Sequence, residues 1–184
     1  MKILVIWKAL VSETYHNRFV ELAKFKDVEL TLIVPTKWHK INLEKKFCSE
    51  YKIIPRRVVL NGSNHFHWYP GLARIIRQVR PDILHIEEEH YSLVTFQAIR
   101  LAKKYNIKCL FVTWQNIYKK YPFPFSRIER YNLKNADYAI AGSKEVKNVL
   151  AGKGFDNKRI SEIPLGVDTT MFHKIESTEL MSKL

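Results

Sequence analysis

The sequence predicts an α/β domain built on a doubly wound, mostly parallel sheet. Three observations carry that expectation. Apolar runs too continuous for half-exposed strands recur at residues 2–7, 27–35, 83–86, 108–113 and 138–141. Amphipathic segments of helical length separate them, so strand and helix alternate about six times. The clearest unit is NADYAIAGSKEVKNVLAGKGFDNKRISEIPLGVD, residues 135–168. It reads as strand, polar turn, helix and second strand within about 30 residues.

Taken in order, residues 2–7 form a first strand and residues 8–14 (KALVSET) a loop. Ser12 or Glu13 then opens a helix with Phe19, Val20, Leu22, Ala23 and Phe25 on its apolar side. The loop has no glycine, whereas a dinucleotide-binding fold needs Gly-x-Gly-x-x-Gly there; a nicotinamide or flavin enzyme is disfavoured. Pro35 ends the second strand. Residues 36–49 are basic and amphipathic, with Trp38, Ile41, Leu43 and Phe47 on the apolar side. They read either as a segment lying on an anionic bilayer or as a surface element packed by its aromatics. Residues 51–60 are a strand leading to an Asn61-Gly62 turn, and residues 66–69 a short paired strand. A helix over 70–80 has proline in its first turn and Leu72, Ile75, Ile76 and Val79 inward.

The strand at 83–86 delivers Glu87, Glu88 and Glu89 to its C-terminal end, the edge where open α/β sheets bind ligands. Three adjacent carboxylates repel one another, so at least one should find a basic or hydroxyl partner. The alternative is simple stabilisation by the dipole of a helix over 92–105. The strand at 108–113 ends in Trp114-Gln115-Asn116, a stacking face and two amides that suit a sugar. Lysines interleaved with aromatics follow at 118–125, then a helix over 125–135. In the last unit Ser143 caps a helix over 144–153, Gly152 and Gly154 supply its left-handed stop, and a strand covers 160–163.

Composition narrows the class further. A chain of 184 residues, 46% hydrophobic and 27% charged, is one ordinary globular domain. Cys48 and Cys109 lack metal-ligand spacing, and Cys109 lies in an apolar run that implies a buried, reduced thiol. His65 and His67 have no Cys or carboxylate at ligand spacing, so no metal site is expected. The opening apolar run is cut by Lys8, too early for an export signal. A cytoplasmic protein is expected. Its net charge is +13, and residues 1–80 hold 15 basic against 6 acidic side chains. That half would face nucleic acid, an anionic membrane or a phosphorylated substrate, or be a solvated lysine-rich surface.

Three stretches carry a family resemblance. Asp-Tyr-Ala-Ile-Ala-Gly-Ser at 137–143 with its Ser-x-Glu helix start, Ile-Pro-Leu-Gly-Val-Asp at 163–168, and the Pro-Asp-x-x-His-x-Glu pattern at 81–87 stand in the family's order. They resemble the N-terminal domain of family-4 glycosyltransferases, which have two Rossmann-like domains (the GT-B fold). The run VTWQNIYKKYPFPFSRIERYNLKNADYAIAGS is the most specific part. Two departures stand out: members often have glycines in the first loop and a histidine near Trp114, and this chain has neither.

The resemblance implies an acceptor-side domain over residues 1–168, with residues 169–184 the linker to a C-terminal donor-binding domain. It implies a retaining, metal-independent transferase with no cofactor, taking a nucleotide-sugar as donor through that second domain. The acceptor would be a sugar, a lipid-linked or a phosphorylated molecule. Peripheral contact with an anionic membrane is allowed and no nucleic-acid partner is expected. The paired-glutamate motif of the second domain is not in this sequence, so the chain alone should be nearly inactive. Glu87 and Glu88 are the catalytic candidates, orienting an acceptor hydroxyl. Lys8, Trp114, Gln115, Asn116, Lys119 and Lys120 are acceptor-binding candidates. Ser143 and Lys144, at a helix start, would meet an anion, and Gly166 and Asp168 would mark the hinge. The alternative reading is a stand-alone basic module binding nucleic acid, anionic lipid or a small anion.

Overall fold

A computed structural model of the chain describes residues 1–43 and 50–166. Seven strands form one parallel sheet: β1 (Lys2–Ile6), β2 (Glu29–Pro35), β5 (Lys52–Arg56), β6 (Ile83–Ile86), β7 (Lys108–Thr113), β8 (Tyr138–Ala141) and β9 (Ile160–Glu162). Their order across the sheet is β5-β2-β1-β6-β7-β8-β9. The chain therefore winds outward from β1 in one direction and from β6 in the other. A small antiparallel ribbon, β3 (Lys37–Trp38) with β4 (Ile41–Asn42), lies outside the sheet. Five helices complete the fold: α1 (Asn17–Ala23), α2 (Leu72–Val79), α3 (Leu93–Tyr105), α4 (Phe125–Asn135) and α5 (Lys144–Gly152).

Alternate residues along the strands feed two separate cores. Leu4, Ile6, Leu84, Ile86 and Phe111 face α2 to α5, where they meet Leu72, Ile75, Ala98 and Leu150. Ile3, Val5, Leu30 and Leu32 face the other way and meet Leu10 and Phe19. Helices are thus unevenly divided. Among the described residues four cover one face and α1 alone covers the other. Among the described residues nothing helical lies over the second face of β7 and β8, and Leu110 and Ile140 there are half-buried.

Two aspartates fix the strand starts. Asp82, just before β6, accepts from the Lys2 N–H of β1 at 2.7 Å. Asp137, just before β8, accepts from the Cys109 N–H of β7 at 3.0 Å and pairs with Lys108 at 3.1 Å. Cys109 is buried as expected, and burial pushes its thiol up to about 11. Pro55 lies in β5, the outermost strand, where a missing backbone N–H does least harm.

Three sequence expectations need correction. The first helix starts at Asn17, because residues 8–15 coil into two short 3-10 turns. His16 ties this segment to the rest of the fold, one ring nitrogen 2.8 Å from the Leu10 carbonyl and the other 2.7 Å from the Tyr51 hydroxyl. The helix ends at Ala23, and Phe25 is left 61% exposed. Residues 37–42 form a ribbon, with Trp38 buried and Ile41 exposed; Phe47 and Cys48 lie outside the described residues. Only Gly154, at φ +88°, takes the left-handed conformation after α5, and Gly152 stays helical.

Truncating the ring at the centre of the larger core should cost about 3–5 kcal/mol. Urea unfolding of Phe111→Ala is expected to show that loss, while Phe25→Ala should stay within about 0.5 kcal/mol of the parent chain.

Candidate functional site

β1 and β6 are neighbours whose chains leave in opposite directions, so a crevice opens beyond their C-terminal ends. Trp7 and Lys8 follow one strand, and Glu87, Glu88 and Glu89 follow the other. The three carboxylates turn to three different partners. Glu88 is sealed from solvent. It accepts from the Lys8 backbone N–H at 2.8 Å and pairs with the Lys8 ammonium through its second oxygen. His67 Nε2 stands 3.6 Å away, with its Nδ1 2.9 Å from the Ser63 carbonyl. Trp38 closes this cluster, its ring edge-on to His67 at 4.8 Å and under Lys8 at 5.8 Å.

Glu87 reaches the opposite face of the sheet. Its oxygens lie 2.8 Å from His85 Nε2 and 2.9 Å from an Arg18 nitrogen, and the guanidinium of Arg18 stacks 4.2 Å over the Trp7 ring. Burial alone would raise both carboxyls. His85 and Arg18 outweigh it at Glu87, Lys8 and His67 at Glu88, and each carboxyl is held below its ordinary value. Burial and the Glu88 charge push the Tyr69 phenol well up. Glu89 accepts from the Thr113 hydroxyl and from the Trp114 N–H at 3.0 Å.

From Thr113 a polar chain continues inward. His90, fully buried, has Nδ1 3.1 Å from the Thr113 hydroxyl and Nε2 3.0 Å from Glu129, which in turn accepts from Lys153 at 2.7 Å. Glu129 is a carboxylate that only accepts, so His90 Nε2 carries the proton there. Burial would raise the Glu129 carboxyl, but His90 and Lys153 hold it below its ordinary value.

Beside Glu87 the crevice deepens into a pocket of about 320 Å³. Val112 and Ile140 form its floor, Arg18, Phe19 and Leu22 one wall, and residues 163–166 the other. Trp114 overhangs it, 41% exposed. Two neighbours place that residue: Glu89 accepts from its backbone N–H, and Gly142 lies directly beneath its ring. A Cβ on Gly142 would fall 2.1 Å from the ring, so only glycine permits this approach.

The other sequence-predicted residues fall in several places. Both ends of the Gln115 amide are engaged within its own loop, with the Ile117 carbonyl at 2.6 Å and the Tyr121 hydroxyl at 3.0 Å. Asn116 is exposed and outside the pocket lining. Lys119 and Lys120 lie away from the crevice, along α4. Ser143 caps α5 through the Val146 N–H and donates to Glu145 at 2.7 Å, which keeps the Glu145 carboxyl low; Lys144 beside it is exposed. Gly166 lines the pocket, and Asp168 and residues 169–184 lie outside the described residues. Among the described residues no group of three or more His, Cys, Asp or Glu could hold a metal, and no helix is long and apolar enough to cross a membrane. Sequence reasoning missed Arg18 and the His90–Glu129 pair; for Arg18 the one available cue was its position on a helix leaving β1.

Seven parallel strands wound about one switch point make this a Rossmann-like domain of the kind found in GT-B folds. The description Glycosyltransferase Family 4 matches residues 13–171, and the chain belongs to that family. Among solved structures, the Neisseria meningitidis UDP-GlcNAc 2-epimerase bound to UDP-GlcNAc matches with a TM-score of 0.59 at 14% identity, over 87% of this chain and 46% of that one. The Methanocaldococcus jannaschii UDP-GlcNAc 2-epimerase in complex with UDP-GlcNAc and UDP gives 0.59 at 13% identity, over 88% and 46%. The lipopolysaccharide outer core galactosyltransferase WaaB gives 0.56 at 18% identity, over 92% and 47%. At such identities the likeness shows the fold. This chain spans less than half the length of those proteins. No curated protein matches it.

Two outcomes follow from the geometry. Glu88 has a lowered folded-state value, so its partners contribute fully above the ordinary carboxyl value of 4.5 and progressively less as pH falls below it. Urea midpoints of Glu88→Gln should therefore fall less steeply on acidification below that pH, from a neutral-pH stability reduced by about 1.5–3 kcal/mol. Gly142→Ala should push the Trp114 ring outward and red-shift tryptophan emission, a shift absent in the Trp114→Phe background.

Proposed function

We propose that this chain is the acceptor-binding domain of a retaining glycosyltransferase. The pocket beside Glu87 receives the acceptor, and a second domain supplies the nucleotide-sugar across the crevice. The reaction forms a bond from an acceptor hydroxyl oxygen to the anomeric carbon and breaks that carbon's bond to the nucleotide diphosphate; the hydroxyl proton leaves with the departing phosphate. Family membership supports the reaction class. The observation that carries the assignment of the site is Trp114, a flat ring held over an apolar floor beside the switch point, with the Arg18–Glu87 pair at the rim. An aromatic face takes the apolar side of a sugar ring, and charged groups at the edge meet its hydroxyls.

The residues divide the work. Trp114 stacks, Glu87 accepts from an acceptor hydroxyl, and His85 and Arg18 keep that carboxylate ionised and aimed. Glu88 and Lys8 stiffen the wall by joining the ends of β1 and β6. The acceptor is a glycan, a lipid-linked sugar or a phosphorylated molecule. No metal or cofactor is required on this reading, because a second domain neutralises the leaving diphosphate.

The test is transfer from labelled nucleotide-sugars to glycan and lipid-linked acceptors, comparing this chain with the native protein purified from its source cells. The native protein should transfer sugar with retained anomeric configuration, and this chain alone should show almost none. Trp114→Ala in the native protein should raise acceptor KM about tenfold, the loss of one stacking contact, with donor KM unchanged. Full turnover by this chain alone, or an inverted product, would overturn the reading.

A further inference from the structure

Lys119 and Lys120 mark a second site, on the flank of the domain. They line a cleft of about 680 Å³ between their own loop, the outer side of α4 and the turn after α5. It shares no lining residue with the pocket beside Glu87. Arg130 and Lys134 enter from α4, and Arg159 from the 3-10 turn that precedes β9.

The charge in this cleft is one-sided. Its single acidic lining residue, Glu129, is already held by Lys153, whose side chain is 5% exposed and whose ammonium also donates to the Lys119 carbonyl at 2.6 Å. Among the described residues Lys119, Lys120, Arg130 and Lys134 have no ion-pair partner. Arg159 has only a loose one, Asp156 at 3.6 Å, and donates to the Ala136 carbonyl at 3.0 Å. Like charges gathered in one concavity repel, and an anion bound among them removes the repulsion.

The wall is also firm. Lys153 packs against the rings of Tyr118 at 4.9 Å and Tyr121 at 5.3 Å, and Tyr121 stacks on Tyr91 at 4.4 Å. Arginine forks match phosphate oxygens two at a time, and lysines add charge without directional demand.

We propose that this cleft binds a phosphate group, as a phosphomonoester or pyrophosphate, independently of the crevice. The cleft is much larger than one phosphate, so the group belongs to a larger soluble molecule or to a lipid headgroup. The exposed side chains of Ile117 and Phe123 on the same loop would meet the lipid surface in the second case.

Calorimetry with pyrophosphate and sedimentation with phosphatidate-containing vesicles, against pure phosphatidylcholine, test this directly. Binding to at least one probe is expected, weakened about tenfold by the double change Arg130→Gln with Lys134→Gln. Lys24→Gln with Lys26→Gln, which removes the same charge elsewhere, should leave it unchanged. Pyrophosphate binding assigns a soluble source and vesicle binding alone a lipid one. The proposal falls if neither probe binds, or if the control pair weakens binding equally. Trp114→Ala should leave this binding intact, which separates its failure from that of the acceptor pocket.

Discussion

Glu88 sits buried where the two central strands part, and much of the upper edge of the sheet is arranged around its charge. A lone carboxylate in such a place would be strongly unfavourable. Lys8 answers it twice, with its backbone N–H and its ammonium, and His67 approaches from the other side. The consequence reaches the first loop. In nucleotide-binding relatives of this architecture, a glycine-rich turn offers backbone N–H groups to a phosphate. Here the chain's own carboxylate takes an N–H at that turn. The missing glycines and the buried glutamate are two sides of one arrangement.

How far the sequence disclosed this can be judged element by element. β6, β7 and β8 were readable to the residue because each is a short, mainly apolar run, and Ser143 announced the helix that follows β8. The first helix was misjudged because local signals at Ser12 and Glu13 yielded to His16, whose partners Leu10 and Tyr51 are a tertiary matter. Charge pattern left Trp38 either on a membrane or packed within a surface element; its ring packs edge-on against His67, a contact made across 29 residues. The position of Trp114 at a strand end was legible, whereas its support by Gly142 was not. Lys119 and Lys120 follow Trp114 closely in the chain, yet their loop carries them down along α4.

The uneven division of helices explains why a pocket exists at all. Among the described residues α1 is the one helix on the second face, so Val112 of β7 and Ile140 of β8 floor a pocket that Trp114 roofs. On the crowded face the comparable space is filled by α3, α4 and α5, and a line of partnered polar groups from Glu89 to Lys153 runs through it.

Pro55 affects how the chain meets its own copies. An open sheet ends in strands with unsatisfied backbone groups, and those invite a neighbouring molecule to continue the ladder. At one margin, β5 interrupts any such continuation with a proline and flanks it with Lys52 and Arg56. At the other, β9 is only three residues long. Both margins are poor templates for edge-to-edge pairing between copies of this domain.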